Sequence, residues 1–277
     1  MTTWRSEELP DSHRIGGAGW VLIMLRVVPL AILVFGCLAL LLLVRLVERP
    51  LFGQGRPWTP FITQFVCRNA FRIIGIGYRA EGAPMRGPGA VVANHSSWLD
   101  IFALNAAKRI YFVSKSEVAG WPGIGWLARA TGTVFIARDR RDAPAQVDTF
   151  KMRLSHGHKL LFFPEGTSTD GRRVLPFKPT LFAAFFDPAF RDSLRIQPVT
   201  VIYRAPEGVD PRLYGWWGDM EFGPHLLATL AQRPQGEVVV RYHAPVAVAD
   251  YADRKALAAA LERTVRGGLE EAGVSEL

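Results

Sequence analysis

His95 and Asp100, five residues apart in Asn94-His95-Ser96-Ser97-Trp98-Leu99-Asp100, are the side chains of this sequence best suited to acid–base chemistry. An imidazole, with an ordinary pKa of about 6.5, takes up a proton near neutral pH. A carboxylate on its other nitrogen fixes the tautomer and steadies the cation that forms. On one continuous helix, positions i and i+5 stand roughly 140° apart and share no face. The pair meets if His95 stands on a turn after the apolar run Ala90-Val91-Val92-Ala93, read as a strand, and Asp100 lies in the first turn of the next helix. Ser96 and Ser97 suit that junction, since a serine hydroxyl caps the unpaired amides of a helix start. A blander reading fits as well: Ser97-x-x-Asp100 has the form of a capping box, in which the acid only reaches back to the cap residue. Alone the pair decides nothing.

Three later blocks add to it. Gly132-Thr133-Val134-Phe135-Ile136-Ala137-Arg138 is a strand pattern ending in arginine, and Phe162-Phe163-Pro164-Glu165-Gly166-Thr167 is one ending in a carboxylate on a Pro/Gly turn. Ile196-Gln197-Pro198-Val199-Thr200-Val201 is a third apolar strand, broken by a proline. In this order the four blocks resemble the motifs of the glycerolipid acyltransferases, the family of the bacterial 1-acylglycerol-3-phosphate acyltransferases, over roughly residues 75–210.

The reaction that this resemblance implies is attack of an acceptor hydroxyl on an acyl thioester. The resemblance makes His95 the general base and Asp100 its partner, with the acceptor hydroxyl in the place a serine takes in a triad, so that neither an acyl-enzyme, a metal nor a cofactor is required. The carbonyl oxygen gains charge in the transition state, and backbone amides of the Glu165-Gly166-Thr167 turn are one source of donors. Arg138 is a permanently charged fork suited to a phosphate or carboxylate, and Glu165 either orients acceptor hydroxyls or pairs with Arg138; the family pattern implies acceptor binding. Lys115 matches a basic position after the second strand and belongs either to the anionic-headgroup pocket or to solvent. The donor is an acyl carrier protein or coenzyme A thioester.

One departure bears on the acceptor. Phosphatidic-acid-forming members commonly continue the third motif as Glu-Gly-Thr-Arg, whereas Ser168 stands here, with Arg172 and Arg173 further along the turn. This stretch and Trp216-Trp217-Gly218-Asp219-Met220 more closely resemble the lyso-ornithine lipid O-acyltransferase branch. The expected acceptor is therefore a lyso-ornithine lipid, with 1-acylglycerol-3-phosphate close behind or also accepted. A lipid esterase or thioesterase, using the same His-Asp pair with water, is the alternative.

These groups must be positioned by an α/β framework. Strand patterns lie at 77–81, 90–94, 109–114, 133–137, 159–163, 196–203 and 237–243, and helical patterns at 97–107, 122–130, 143–156, 180–190, 222–232 and 252–270. The alternation predicts a mixed sheet of about seven strands flanked by helices, preceded by an N-terminal hydrophobic membrane-anchoring helix. Val27–Val44 is 18 residues without a charge, bounded by Arg26 and Arg45. As a helix it would run about 27 Å, just enough to cross a hydrocarbon core of about 30 Å. The run ends in Arg-Leu-Val-Glu-Arg rather than at a small-residue cleavage site, which favours a retained anchor over a signal peptide. Residues 58–75, with Phe61 and Phe65 at helical spacing, fit a helix lying in the interface, and an ordinary amphipathic core helix would show the same pattern. The division is thus 1–57, tail and anchor, and 58–277, acyltransferase domain. The inner membrane is the expected location, with the catalytic domain facing the cytoplasm, where acyl thioesters are made.

Composition narrows the partners. The 277 residues carry a net charge of +8, but the basic residues are scattered, so membrane lipids explain the charge better than nucleic acid does. Cys37 and Cys67 support neither a disulfide framework nor a zinc site. His156-Gly157-His158 lacks a third ligand at a supporting spacing, His225 and His243 read as structural or exposed, and no Gly-x-Ser-x-Gly elbow occurs.

Overall fold

The computed structural model describes residues 4–6, 15–87, 89–121, 123–136 and 143–274. Two long helices come first, α1 (Gly17–Phe52) and α2 (Thr59–Ile74). They are followed by β1 (Gly77–Glu81), β2 (Gly89–Ala93), α3 (Asp100–Ala107), β3 (Tyr111–Lys115), α4 (Ile124–Thr131), β4 (Val134–Ile136), α5 (Ala143–Ser155) and β5 (Lys159–Phe162). The rest is α6 (Pro188–Arg191), β6 (Arg195–Arg204), α7 (Phe222–Ala231), β7 (Glu237–Tyr242), β8 (Val246–Ala247) and α8 (Arg254–Glu271).

The strands form one mixed sheet in the order β1-β7-β6-β2-β5-β3-β4, with the two-residue β8 paired to the start of β6. The pairs are parallel except β6 with β7 and β6 with β8. Alternating side chains divide the core between the two faces. In β2, Ala90 and Val92 point into a cluster with Phe182, Leu257 and Leu261, while Val91 and Ala93 point into another with Phe71, Leu104 and Leu230. Buried on both faces, β2 sits between β6 and β5 and so presents its C-terminal end at the middle of the sheet.

Two stretches shaped by prolines depart from the sequence reading. Residues 180–190 are not one α-helix: Pro179–Phe186 is a 3₁₀ helix, and α6 restarts at Pro188 under a cap in which the Asp187 side chain accepts the Ala189 amide. The two prolines explain the division, because the residue before a proline avoids the α conformation. The proline in the third apolar strand does not break it. β6 runs through Pro198, which pairs with Val92, and the neighbouring Gln197 side chain accepts from the Met85 amide and donates to the carbonyls of Ala83 and His243.

The first helix is far longer than its uncharged core. α1 spans 36 residues, and the arginines expected to bound it lie inside it. Arg26 donates to the carbonyls of Leu230 and Gln232, each at 2.8 Å, and Arg45 to those of Gly53 and Gly55. Its buried residues are Ile23, Leu30, Leu41 and Glu48. Their spacings of 7, 11 and 7 are near-integral numbers of turns, so they make one stripe about 38 Å long against the domain. The other faces are apolar and exposed, Leu25, Ile32, Leu43 and Leu46 among them. By length and composition α1 could cross a membrane.

Candidate active site

His95 lies two residues beyond β2, at the C-terminal ends of the parallel strands, where open α/β sheets form their crevices. The loop that carries it is fixed by main-chain bonds. Just before it, the buried Asn94 side chain clasps β6, accepting from the Val201 amide at 2.8 Å and donating to the Val201 carbonyl at 2.9 Å. The His95 amide donates to Glu165 Oε1 at 2.7 Å, and its carbonyl accepts from the Thr169 amide at 2.9 Å. Both polar groups of this residue's backbone are therefore held by the segment after β5.

The ring is fixed separately. His95 Nδ1 stands 2.7 Å from Asp100 Oδ2, and Phe163 stacks on the imidazole with ring centroids 4.0 Å apart and planes 11° from parallel. A carboxylate only accepts, so Nδ1 carries the proton in the neutral ring and Nε2 is left as the basic nitrogen. The His95 side chain is 23% exposed, the Asp100 side chain 0%. Asp100 Oδ2 also accepts the amides of Ser96 at 2.8 Å and Ser97 at 3.0 Å, while Oδ1 accepts the Tyr203 hydroxyl at 2.8 Å. The helix-start reading and the base-partner reading thus hold together: the same carboxylate reaches back to the turn and faces the imidazole.

The other candidate residues that the structure describes, Lys115, Glu165, Gly166 and Thr167, lie on the strand ends and the turn next to this pair. Lys115, ending β3, donates from Nζ to the Gly166 carbonyl at 3.0 Å. Gly166 has φ +73°, a left-handed conformation that suits glycine and forms the turn after Pro164. Thr167 follows, its Oγ1 donating to the Ser168 carbonyl at 3.4 Å. Glu165 is 1% exposed, and its second oxygen accepts the Leu175 amide at 2.7 Å. Burial pushes its carboxyl up to about 8, against the downward pull of the Leu175 and His95 amides, and the Asp100 charge adds to the rise. Arg138 lies outside the described residues, just beyond β4.

Sequence reading missed several members of the site. Tyr203 had a signal, since a tyrosine hydroxyl in an apolar buried strand needs a partner, and burial with the Asp100 charge raises its pKa well above the ordinary value. Phe163 sat within a quoted motif without a role. Trp98, inside the His95 block, donates from its indole to Nδ1 of the buried His225 at 2.9 Å. Burial lowers that histidine to about 4, which keeps it neutral and able to accept. The Trp216 amide donates to the Ser96 carbonyl at 2.8 Å, and a Cβ on Gly215 would stand 2.7 Å from the Asp170 carbonyl oxygen, so glycine permits this close approach. Arg173 pairs with the buried Asp170 at 3.0 Å, and the Arg172 amide donates to the same carboxylate.

Such a dyad can take a proton from a bound hydroxyl or water at Nε2 and return it to a leaving group. Comparison with known proteins narrows the choice. A family model described as Acyltransferase matches residues 76–202. The chain is similar to the lyso-ornithine lipid O-acyltransferase of Rhodobacter capsulatus, with 55% identity over 266 residues, 96% of either chain. It is 41% identical over 123 residues to the 1-acyl-sn-glycerol-3-phosphate acyltransferase of Neisseria gonorrhoeae, 43% of this chain and 48% of that one. Among solved structures, the 1-acyl-sn-glycerophosphate acyltransferase PlsC of Thermotoga maritima shares the fold, with a TM-score of 0.64 at 20% identity, covering 94% of this chain and 98% of that one.

Proposed function

Because the chain belongs to the glycerolipid acyltransferase family and is a lysolipid acyltransferase, we propose that it moves a fatty acyl group from a carrier-protein or coenzyme A thioester to the hydroxyl of a lyso-ornithine lipid, with 1-acylglycerol-3-phosphate as a second acceptor. The observation that carries the chemistry is the 2.7 Å contact between His95 Nδ1 and Asp100, which leaves Nε2 to receive a proton. The likeness over nearly the whole chain to the lyso-ornithine enzyme supports the acceptor.

In this reading the acceptor hydroxyl lies against His95 Nε2. As its oxygen attacks the thioester carbonyl, its proton passes to Nε2, and the carbonyl electron pair moves onto oxygen. Collapse of the tetrahedral intermediate expels the thiolate, which takes the proton back from the imidazolium. Asp100 holds the ring through both steps and stabilises its cation. The ring does not wander, since Phe163 covers one face. Glu165 holds the amide of the base itself, so its support is for positioning His95. The role we assign to Gly166 and Thr167 together with Lys115, at the C-terminal ends of β3 and β5, and to Arg138 is binding of the acceptor headgroup. The exposed apolar faces of α1 and α2 attach the enzyme to the inner membrane with the acyltransferase domain on the cytoplasmic side.

The test is acyl transfer with both acceptors mixed in one vesicle preparation. His95→Ala should lower kcat about 10²–10⁴-fold with either acceptor while the circular dichroism is unchanged. Retention of more than about a tenth of the rate would remove His95 as the base. Ser168→Arg should shift the acceptor ratio toward 1-acylglycerol-3-phosphate, and an unchanged ratio would place selectivity elsewhere. Thioester consumption without acyl-lipid formation by the wild type would assign the dyad to hydrolysis.

A further inference from the structure

A second concentration of charge lies at the other end of the sheet. A cavity of about 460 Å³ opens beside the N-terminal ends of β3 and β5, lined by Arg56, Lys108, Arg109, Tyr111, His158 and Lys159. The strands are parallel, so the length of β5 separates this cavity from His95, which stands at their C-terminal ends.

Among the described residues that line it, the cavity has cations and no carboxylate. Among the described residues, none of Arg56, Lys108, Arg109, Lys159 and the neighbouring Arg153 forms an ion pair. Glu48 lies close to Arg56, but its oxygens are taken by the Trp58 and Thr59 amides, the Thr59 hydroxyl and Arg45. Lys159 is pulled below its ordinary value by burial and then by Lys108 and Arg109, a crowding of like charges that a bound anion would relieve. His158, 5% exposed, turns both ring nitrogens to no partner, and Arg56 Nε is likewise buried without one. Buried polar atoms are rarely left so, since the desolvation is uncompensated.

The rim is apolar. Phe52 lines the cavity and stands edge-on to Trp58, and the Arg109 guanidinium lies 4.3 Å over the Phe61 ring. Phe52, Trp58, Phe61 and Phe65 are all about half exposed along the α1–α2 turn and the outer face of α2. A basic hollow bordered by an exposed aromatic strip matches a molecule with an anionic head and apolar chains.

We propose that this cavity binds the phosphate of an anionic lipid headgroup, held by Lys108, Arg109, Lys159 and Arg56 with His158 as a hydrogen-bond partner, while the lipid's chains run over Phe52 and Phe61. The site is separate from the acyl-transfer centre and does not depend on its assignment. An acidic protein would find the same charge, but the concavity and its aromatic border favour a lipid.

The full-length protein in neutral detergent is titrated with short-chain phosphatidylglycerol, short-chain phosphatidylcholine or inorganic phosphate, and binding is read by calorimetry and by Tm. Phosphatidylglycerol should bind at least ten-fold more tightly than the other two. Lys108→Gln/Arg109→Gln should weaken it at least ten-fold, whereas Arg254→Gln/Lys255→Gln, removing equal charge from the exposed start of α8, should leave it unchanged. Where the first double variant does not fold, Lys159→Gln serves instead, with a three-fold or greater loss expected. Equal affinity for phosphatidylcholine, or equal loss in the two double variants, overturns the proposal. Equal affinity for inorganic phosphate would make this a free-phosphate site and overturn the lipid assignment. An acidic carrier protein whose binding disappears in Lys108→Gln/Arg109→Gln, with phosphatidylglycerol binding unchanged, would give the cavity to a protein partner.

Discussion

Asp100 accepts the amides of Ser96 and Ser97 on the same oxygen that faces the His95 ring, so one atom shapes the turn and holds the base. Asp100→Asn cannot serve all of these donors, because an amide keeps only one accepting oxygen. It should lower kcat about as far as loss of the base itself, 10²–10⁴-fold, and steady-state kinetics beside a Tm measurement separates this from simple unfolding. Glu165 carries a different signature. Its carboxyl is raised to about 8 in the folded protein, so the fold holds that proton where the unfolded chain has released it. The stabilising contribution is complete below the ordinary carboxyl range and is lost as pH climbs through about 8. A loss of ~1 kcal/mol moves Tm by roughly 2–4 °C in a domain of this size, so thermal scans from pH 6 to 9 should fall in the wild type and flatten in Glu165→Gln. At this scale the sequence was half legible. His95 and Asp100 lie five positions apart, and local geometry alone says how they could meet. Tyr203 and Val201 are more than a hundred positions away, and which strand lies beside β2 is a property of the sheet order that no local pattern encodes.

Among the elements, periodicity read the strands well because β2 and β5 are buried on both faces and leave short apolar runs, and β6, buried along nearly its whole length, stays mostly apolar around Gln197 and Thr200. It failed where local chemistry overrode the pattern, at the proline-bounded 3₁₀ stretch 179–186 and at β8, whose two residues are too short to show a period. It also set the ends of α1 too close together. A charge ends an apolar run on paper, but Arg26 and Arg45 are satisfied by carbonyls and the helix continues past both. Glu48 makes the same point from the inside, since its buried carboxylate joins α1 to the start of α2 through Trp58 and Thr59. Glu48→Ala should orphan those donors at about 1–3 kcal/mol for each group left buried, and leave Arg45 with its carbonyl partners alone. A drop in Tm in neutral detergent, with Glu48→Gln falling less, checks this, and an unchanged Tm would mean that the hairpin is held by its apolar stripe alone.

Over the whole molecule, α1 lies along the domain by a stripe that runs from Ile23 to Glu48, while its outer face offers Leu25, Ile32, Leu43 and Leu46 to its surroundings. On the proposed membrane attachment, a fractionation experiment should find the intact protein with membranes at low and at high salt, because the attachment rests on apolar area rather than on charge. An entirely soluble intact protein would defeat it. The same stripe has a kinetic consequence. On the proposed attachment, an anchor packed along about 38 Å of the catalytic domain would carry the site with it, so that the enzyme would search a surface and count acceptor per unit of lipid rather than acceptor per litre. Diluting lyso-lipid with an inert phospholipid, at constant bulk concentration of both enzyme and acceptor, should slow acyl transfer in proportion to the falling mole fraction.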